Sequence, residues 1–119
     1  HHKIIRMQNN IVKHLKWCDI VICGEGITKY EAINQNKPII LIHQFDVTSH
    51  LIKVFLSQNT CLSLGLYNNK LNKVYKDTIM KYINDKKLQS KHIKIQNELF
   101  NDPSIIKEQV KLIKEIIKL

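Results

Sequence analysis

The sequence predicts an α/β fold: a small parallel sheet with flanking helices and a helical C-terminus. Three observations predict it. The runs Ile20–Cys23 and Pro38–Ile42 are apolar, unbroken by charge and rich in β-branched residues, as in strands buried on both faces. Stretches with apolar residues at helical spacing alternate with those runs, and such alternation is the signature of a parallel sheet. After Asn69 only helical spacing is found.

The elements follow in order. Lys3–Arg6 reads as a short strand. Ile11, Val12, Leu15 and Trp17 lie at roughly helical spacing, with Asn9 or Asn10 as N-cap. Ile20–Cys23 is the first buried strand, and glycines at 24 and 26 lead into a helix over Thr28–Ile33. Asn36 stands where that helix must stop, in a left-handed conformation that Asn tolerates. Pro38 opens the second strand, where its missing N–H does least harm. Val47–Gln58 forms a helix with Leu51, Ile52, Phe55 and Leu56 on one face. Cys61–Leu64 is a third strand, closed by Gly65. Val74, Ile79, Tyr82 and Ile83 mark one helix; Leu88, His92, Ile95, Leu99 and Phe100 mark another. Asp102-Pro103 is a helix start, with Asp as N-cap and Pro at the first helical position. The last helix carries an apolar stripe from Ile105 to Ile117 that reads as core, or as the face for an adjoining domain. Right-handed crossovers join three or four strands into a three-layer, Rossmann-like arrangement.

Composition bounds the function. The 119 residues fit one domain, expected over 3–119, with His1-His2 read as a purification-tag remnant. The 44% hydrophobic and 24% charged content is that of a globular chain. No apolar run is long enough for a transmembrane segment. Three cysteines, an odd number without a CxxC pair, argue against a disulfide framework or a metal site and for a cytoplasmic setting. Cys23 and Cys61 lie in apolar runs and read as buried hydrophobes. The net charge of +9 is spread: from Lys70 onward, twelve Lys stand against six Asp and Glu at helical spacing. Arg6 is the only Arg, and no aromatic residues interleave with the lysines as on a base-stacking surface. A solvated helix face is therefore expected, and no nucleic-acid partner.

The chemistry concentrates in Asp19-Ile20-Val21-Ile22-Cys23-Gly24-Glu25-Gly26-Ile27-Thr28-Lys29-Tyr30-Glu31. A strand ends in two glycines and a helix starts at once. Ligands of parallel α/β folds bind outside the carboxyl ends of the strands. Glycine lets the backbone approach a ligand closely, and a helix start offers unpaired N–H groups and partial positive charge to a phosphate. Thr28 is placed to cap the helix and donate its hydroxyl to a phosphate oxygen; Glu31, one turn in, is placed to accept from sugar hydroxyls. The Walker A ending is absent, and Lys29 stands where the dinucleotide fingerprint needs Gly. A tight strand-to-helix turn with no ligand is the alternative for the same glycines.

Asp19, the apolar strand, Gly26, Thr28, Tyr30-Glu31, Lys37-Pro38 and the second strand resemble the C-terminal domain of GT-B nucleotide-sugar enzymes. The resemblance is to the UDP-sugar hydrolases of pseudaminic acid synthesis and the spore-coat polysaccharide proteins, whose domains also occur fused to acylneuraminate cytidylyltransferases. It is strongest over 17–65, and Ser63-Leu64-Gly65 matches a Leu-Gly after the next strand. It implies a UDP-sugar-binding half of a hydrolase or glycosyltransferase, without a cofactor, whose missing N-terminal domain supplies the catalytic histidine. By the same resemblance Gly24, Gly26, Ile27 and Thr28 would meet the pyrophosphate, Glu31 would hold the ribose, and Gln44, Asp46 and His50 would face the sugar or diphosphate. The sequence departs from the family at Glu25, Asn36 and Phe45, and Glu25 sets a negative charge near the phosphates. A degenerate, non-catalytic GT-B module for assembly or regulation is the alternative function. His43 and His50 flank the same loop and read as cleft-lining residues, with a general base and its partner as the alternative; His14 and His92 read as surface or helix-face residues, and Asp19 as a helix end.

Overall fold

The structure, a computed structural model, describes residues 4, 11–24, 26–44 and 50–118, and for 50–52, 54, 105 and 106 the backbone alone. The expected strand over Lys3–Arg6, the Asn9 or Asn10 cap and the first residues of the Val47–Gln58 helix fall outside the described residues.

The element order is α1 (Val12–Trp17), β1 (Val21–Cys23), α2 (Ile27–Asn34), β2 (Ile39–His43), α3 (His50–Ser57), β3 (Leu62–Leu66), α4 (Asn72–Ile83), α5 (Lys86–Phe100) and α6 (Pro103–Ile117), with a single 3₁₀ turn before α4. Among the described residues the sheet has three parallel strands in the order β1-β2-β3. Val21 pairs with Ile39 and Cys23 with Leu41, while Ile40 pairs with Leu62. The α/β class, the parallel sheet and the helical C-terminus are as the sequence predicts.

Helix ends follow local chemistry. Asn36 takes φ 57°, the left-handed conformation expected of it. Around it the Asn36 amide donates to the Ile33 carbonyl and the Lys37 amide to that of Ala32, the double bond of a Schellman ending. Asn59, past the end of α3, repeats the same φ. The Asp102 carboxylate accepts from the Ser104 amide at 2.9 Å and Pro103 opens α6, as read from the sequence.

The core lies on one sheet face, where Leu15, Val21, Ala32, Ile33, Ile39, Leu41 and Phe55 pack together. The rings of Tyr30, Phe55 and Phe100 close that layer edge-to-face or tilted, with centroids 5.9–6.1 Å apart. On the opposite face Ile79 and Ile83 of α4 line an apolar groove of about 490 Å³ with Ile22, Ile40 and Trp17. Ile40 is fully buried but Ile22 is 54% exposed, so β1 is covered on one face alone, against the two-sided burial expected. Cys23 and Cys61 are half-buried at the core's margin. Gly65 does not close β3; it lies inside the strand at φ +73°, within an irregularity in the β2–β3 register between Ser63 and Leu66. The stripe of α6 is not core: every described side chain of that helix is exposed.

A single buried amide ties the layers. Gln96 of α5 donates through Nε2 to the Thr60 carbonyl at 2.8 Å and the Lys37 carbonyl at 3.3 Å, just ahead of β3 and β2. Just past the end of α5, Asn101 donates through Nδ2 to the Ile33 carbonyl at 3.1 Å. Of the two places read for His92, the structure has the helix face: the residue is buried, its Nδ1 sits 2.7 Å from the Tyr82 hydroxyl and the rings stack. Burial depresses the His92 pKa, Lys91 adds to that and Asp85 opposes it.

Two outcomes follow. Gln96→Leu removes the donor from two carbonyls and lowers unfolding stability by about 1–3 kcal/mol in urea titration. The depressed His92 pKa makes its contribution complete above the ordinary value of 6.5 and lost as pH falls from there through the lower folded value. The urea midpoint therefore drops between pH 7.5 and 5.5, and His92→Phe makes that slope shallower.

Candidate functional site

The parallel register sets the carboxyl ends of all three strands on one edge, so the loops after Cys23 and His43 emerge side by side. That edge is where the ligand of such a sheet sits. Gly24 follows β1, and a Cβ there would meet the Ile42 carbonyl oxygen at 3.5 Å, an ordinary contact. Gly26 is different. It holds φ 136° and ψ −165° as the residue before α2, a region that only glycine occupies without strain. The turn therefore depends on Gly26 and not on Gly24.

Helix α2 starts at Ile27, so Thr28 is its second residue and not its cap; no side-chain cap bond forms at Gly26. The amides of Ile27 and Thr28 lie in the first turn, where a helix offers N–H groups without internal partners. Thr28 and Glu31 are half-buried, one turn apart, and Ile27 is exposed. Gln44 is exposed directly after β2. Glu25, Phe45 and Asp46 lie outside the described residues, as does the side chain of His50, whose backbone opens α3. Gly24, Gly26, Ile27, Thr28 and Glu31 thus follow β1 along the turn and the start of α2, and Gln44 follows β2 at the same edge of the sheet.

Lys29 is the residue that the sequence reading missed. It is 7% exposed, and its Nζ donates to the Gly26 carbonyl at 3.0 Å. The ammonium also lies 4.6 Å from the Tyr30 ring centroid and 5.5 Å from that of Phe55, cation–π distances. A fixed positive charge therefore sits beneath the turn. The signal was available: Lys29 precedes Ala32 and Ile33 by three and four positions, on the stripe α2 buries.

Other groups near the edge are chemically quiet. Burial raises the Cys23 thiol above its ordinary value, and Lys29 only partly offsets this. Burial takes Cys61 to about 11. Both thiols are protonated near neutrality and are poor nucleophiles. His43 closes β2, and its carbonyl accepts from the Tyr67 amide at 2.7 Å. Among the described residues no group of three or more His, Cys, Asp or Glu is placed to hold a metal ion. No helix among them is long and apolar enough to cross a membrane.

No family model matches the sequence, and no curated protein or solved structure is significantly similar to it. The geometry separates the two glycines. Gly26→Ala costs about 1–3 kcal/mol in urea unfolding, whereas Gly24→Ala leaves the midpoint nearly unchanged.

Proposed function

We propose that this chain is the nucleotide-sugar-binding domain of a UDP-sugar hydrolase or glycosyltransferase serving cell-surface polysaccharide or sialic-acid-like sugar synthesis. The observation that carries the reading is the glycine-only backbone of Gly26 at the carboxyl edge of a parallel sheet, opening directly into α2. A diphosphate set there meets the first amides of the helix and the positive end of its dipole. The buried Lys29 ammonium adds positive potential from below. Thr28 donates its hydroxyl to a phosphate oxygen, and Glu31 accepts from the ribose hydroxyls. Gln44 reaches the sugar or the second phosphate from the neighbouring loop.

The chemistry of such a site is leaving-group stabilisation. As the bond from the sugar to the diphosphate breaks, negative charge grows on the departing oxygens, and fixed amides and a fixed cation lower the barrier. The group that activates water or an acceptor comes from a second domain, which also closes the cleft. By itself the chain binds without turnover, and hydrolysis of UDP-N-acetylhexosamine by the chain alone would overturn that assignment.

The binding test uses amide shifts of the labelled chain titrated with UDP, CMP and a short oligonucleotide. UDP shifts confined to Gly26–Glu31 support the reading, and Glu31→Gln then weakens UDP about tenfold, the loss of one charge-assisted hydrogen bond. Silence to every nucleotide identifies a non-catalytic module. Salt-sensitive oligonucleotide binding along the lysine faces replaces both readings.

A further inference from the structure

Helix α6 carries a repeat of seven residues, too short to register among domain-scale repeats. Ile105-Ile106-Lys107-Glu108-Gln109-Val110-Lys111 is followed by Leu112-Ile113-Lys114-Glu115-Ile116-Ile117-Lys118, and Leu119 opens a third round. Both rounds are apolar in their first, second and sixth positions and charged alike in their third, fourth and seventh. Kept over many rounds, a seven-residue period makes helices wind round one another in a left-handed supercoil; α6 keeps it for two.

Among the described residues nothing covers the apolar face of the helix. Ile113, Ile116 and Ile117 are 56%, 65% and 76% exposed, and Val110 and Leu112 are exposed beside them. The molecule is 56 Å long against 31 Å in its other two dimensions. A helix of fifteen residues is marginal in water by itself, so an apolar face this wide calls for a partner.

The repeat indicates which partner. At about 100° per residue, the apolar positions cover half the circumference. Lys107 and Lys114 run along one border of that half, and Glu108 and Glu115 along the other. When identical helices pack in parallel, the acidic border of each meets the basic border of the next. When they pack antiparallel, like borders meet, lysine against lysine and glutamate against glutamate. Complementary flanking charges select the first arrangement. The width of the face sets the number. A two-stranded seam needs two apolar positions in seven, whereas here three or four are apolar, enough to touch neighbours on both sides. A membrane surface fits less well. Helices lying on anionic lipid carry basic residues on their polar face; Lys111 and Lys118 do so here, but one whole border of the apolar face, Glu108 and Glu115, is acidic.

We propose that α6 associates in parallel with the α6 of other copies of this chain, in an assembly of three or more. Each contact joins the two different borders of the face, so the copies close into a ring about the helix axes. The inference is independent of what binds at the sheet edge.

Light scattering of the full chain during size exclusion, at tens of micromolar, tests it. The expected mass is at least three times the 14.0 kDa of one chain. Ile113→Lys with Ile116→Lys gives the single-chain mass, with amide spectra of residues 11–100 unchanged. Glu108→Lys with Glu115→Lys makes both borders basic and weakens assembly about tenfold. Adding Lys107→Glu and Lys114→Glu reverses every pair and restores it. A mass of one or two chains for the unaltered protein overturns the proposal, as does a single-chain protein that binds phosphatidylserine vesicles through α6. Assembly indifferent to the Glu108 and Glu115 changes overturns the parallel arrangement.

Discussion

Parallel pairing is the constraint from which the rest of this structure follows. Two strands that run the same way cannot be joined by a tight turn, so each link must cross the sheet, here through α2 and α3. The crossings supply the helices that cover the core face. They also bring the strand ends to a common edge, so that segments distant in sequence meet there. Gln96 reinforces the opposite edge: one side-chain amide, buried in α5, answers carbonyls that lead into both β2 and β3. With apolar groups around it, such a bond is costly to leave unmade, and it fixes α5 against the sheet more specifically than apolar contact would.

Most of the fold was legible because its signals are local. The β-branched runs gave β1 and β2, the Asp102-Pro103 pair gave the start of α6, and Asn36 gave the end of α2. What was misread depends on neighbours distant in the chain. Ile22 looks like its strand companions, yet it lines a groove beside α4 that leaves it half exposed. The sequence sets His92 on a stripe with Leu88 and Ile95 but does not show its hydrogen bond, because that needs the approach of Tyr82 from α4. The stripe of α6 has the composition of core, and hydrophobic periodicity does not say where a partner is. Gly65 reads as punctuation in a sequence and proves to be an interruption within β3.

The edge around Gly26 shows the same division. Its glycines and the following Thr28 and Glu31 are contiguous in the chain, so the sequence places them without help. Lys29 lies among them, and its role depends on Tyr30 and Phe55, which shield the ammonium from water and present ring faces to it. Long aliphatic stems let lysine reach a polar acceptor from an apolar layer, and the Gly26 carbonyl is that acceptor. The cation thus braces the turn that glycine makes possible.

The shape of the outer strands has a consequence for solubility. A chain this rich in isoleucine risks adding foreign strands to its margins, because a margin exposes unpaired backbone groups. Here β1 is only three residues long, and β3 is bent by a left-handed glycine in its fourth position. Among the described residues neither presents a long, straight template, so this three-stranded sheet is poorly suited to runaway stacking even where its apolar side chains face water.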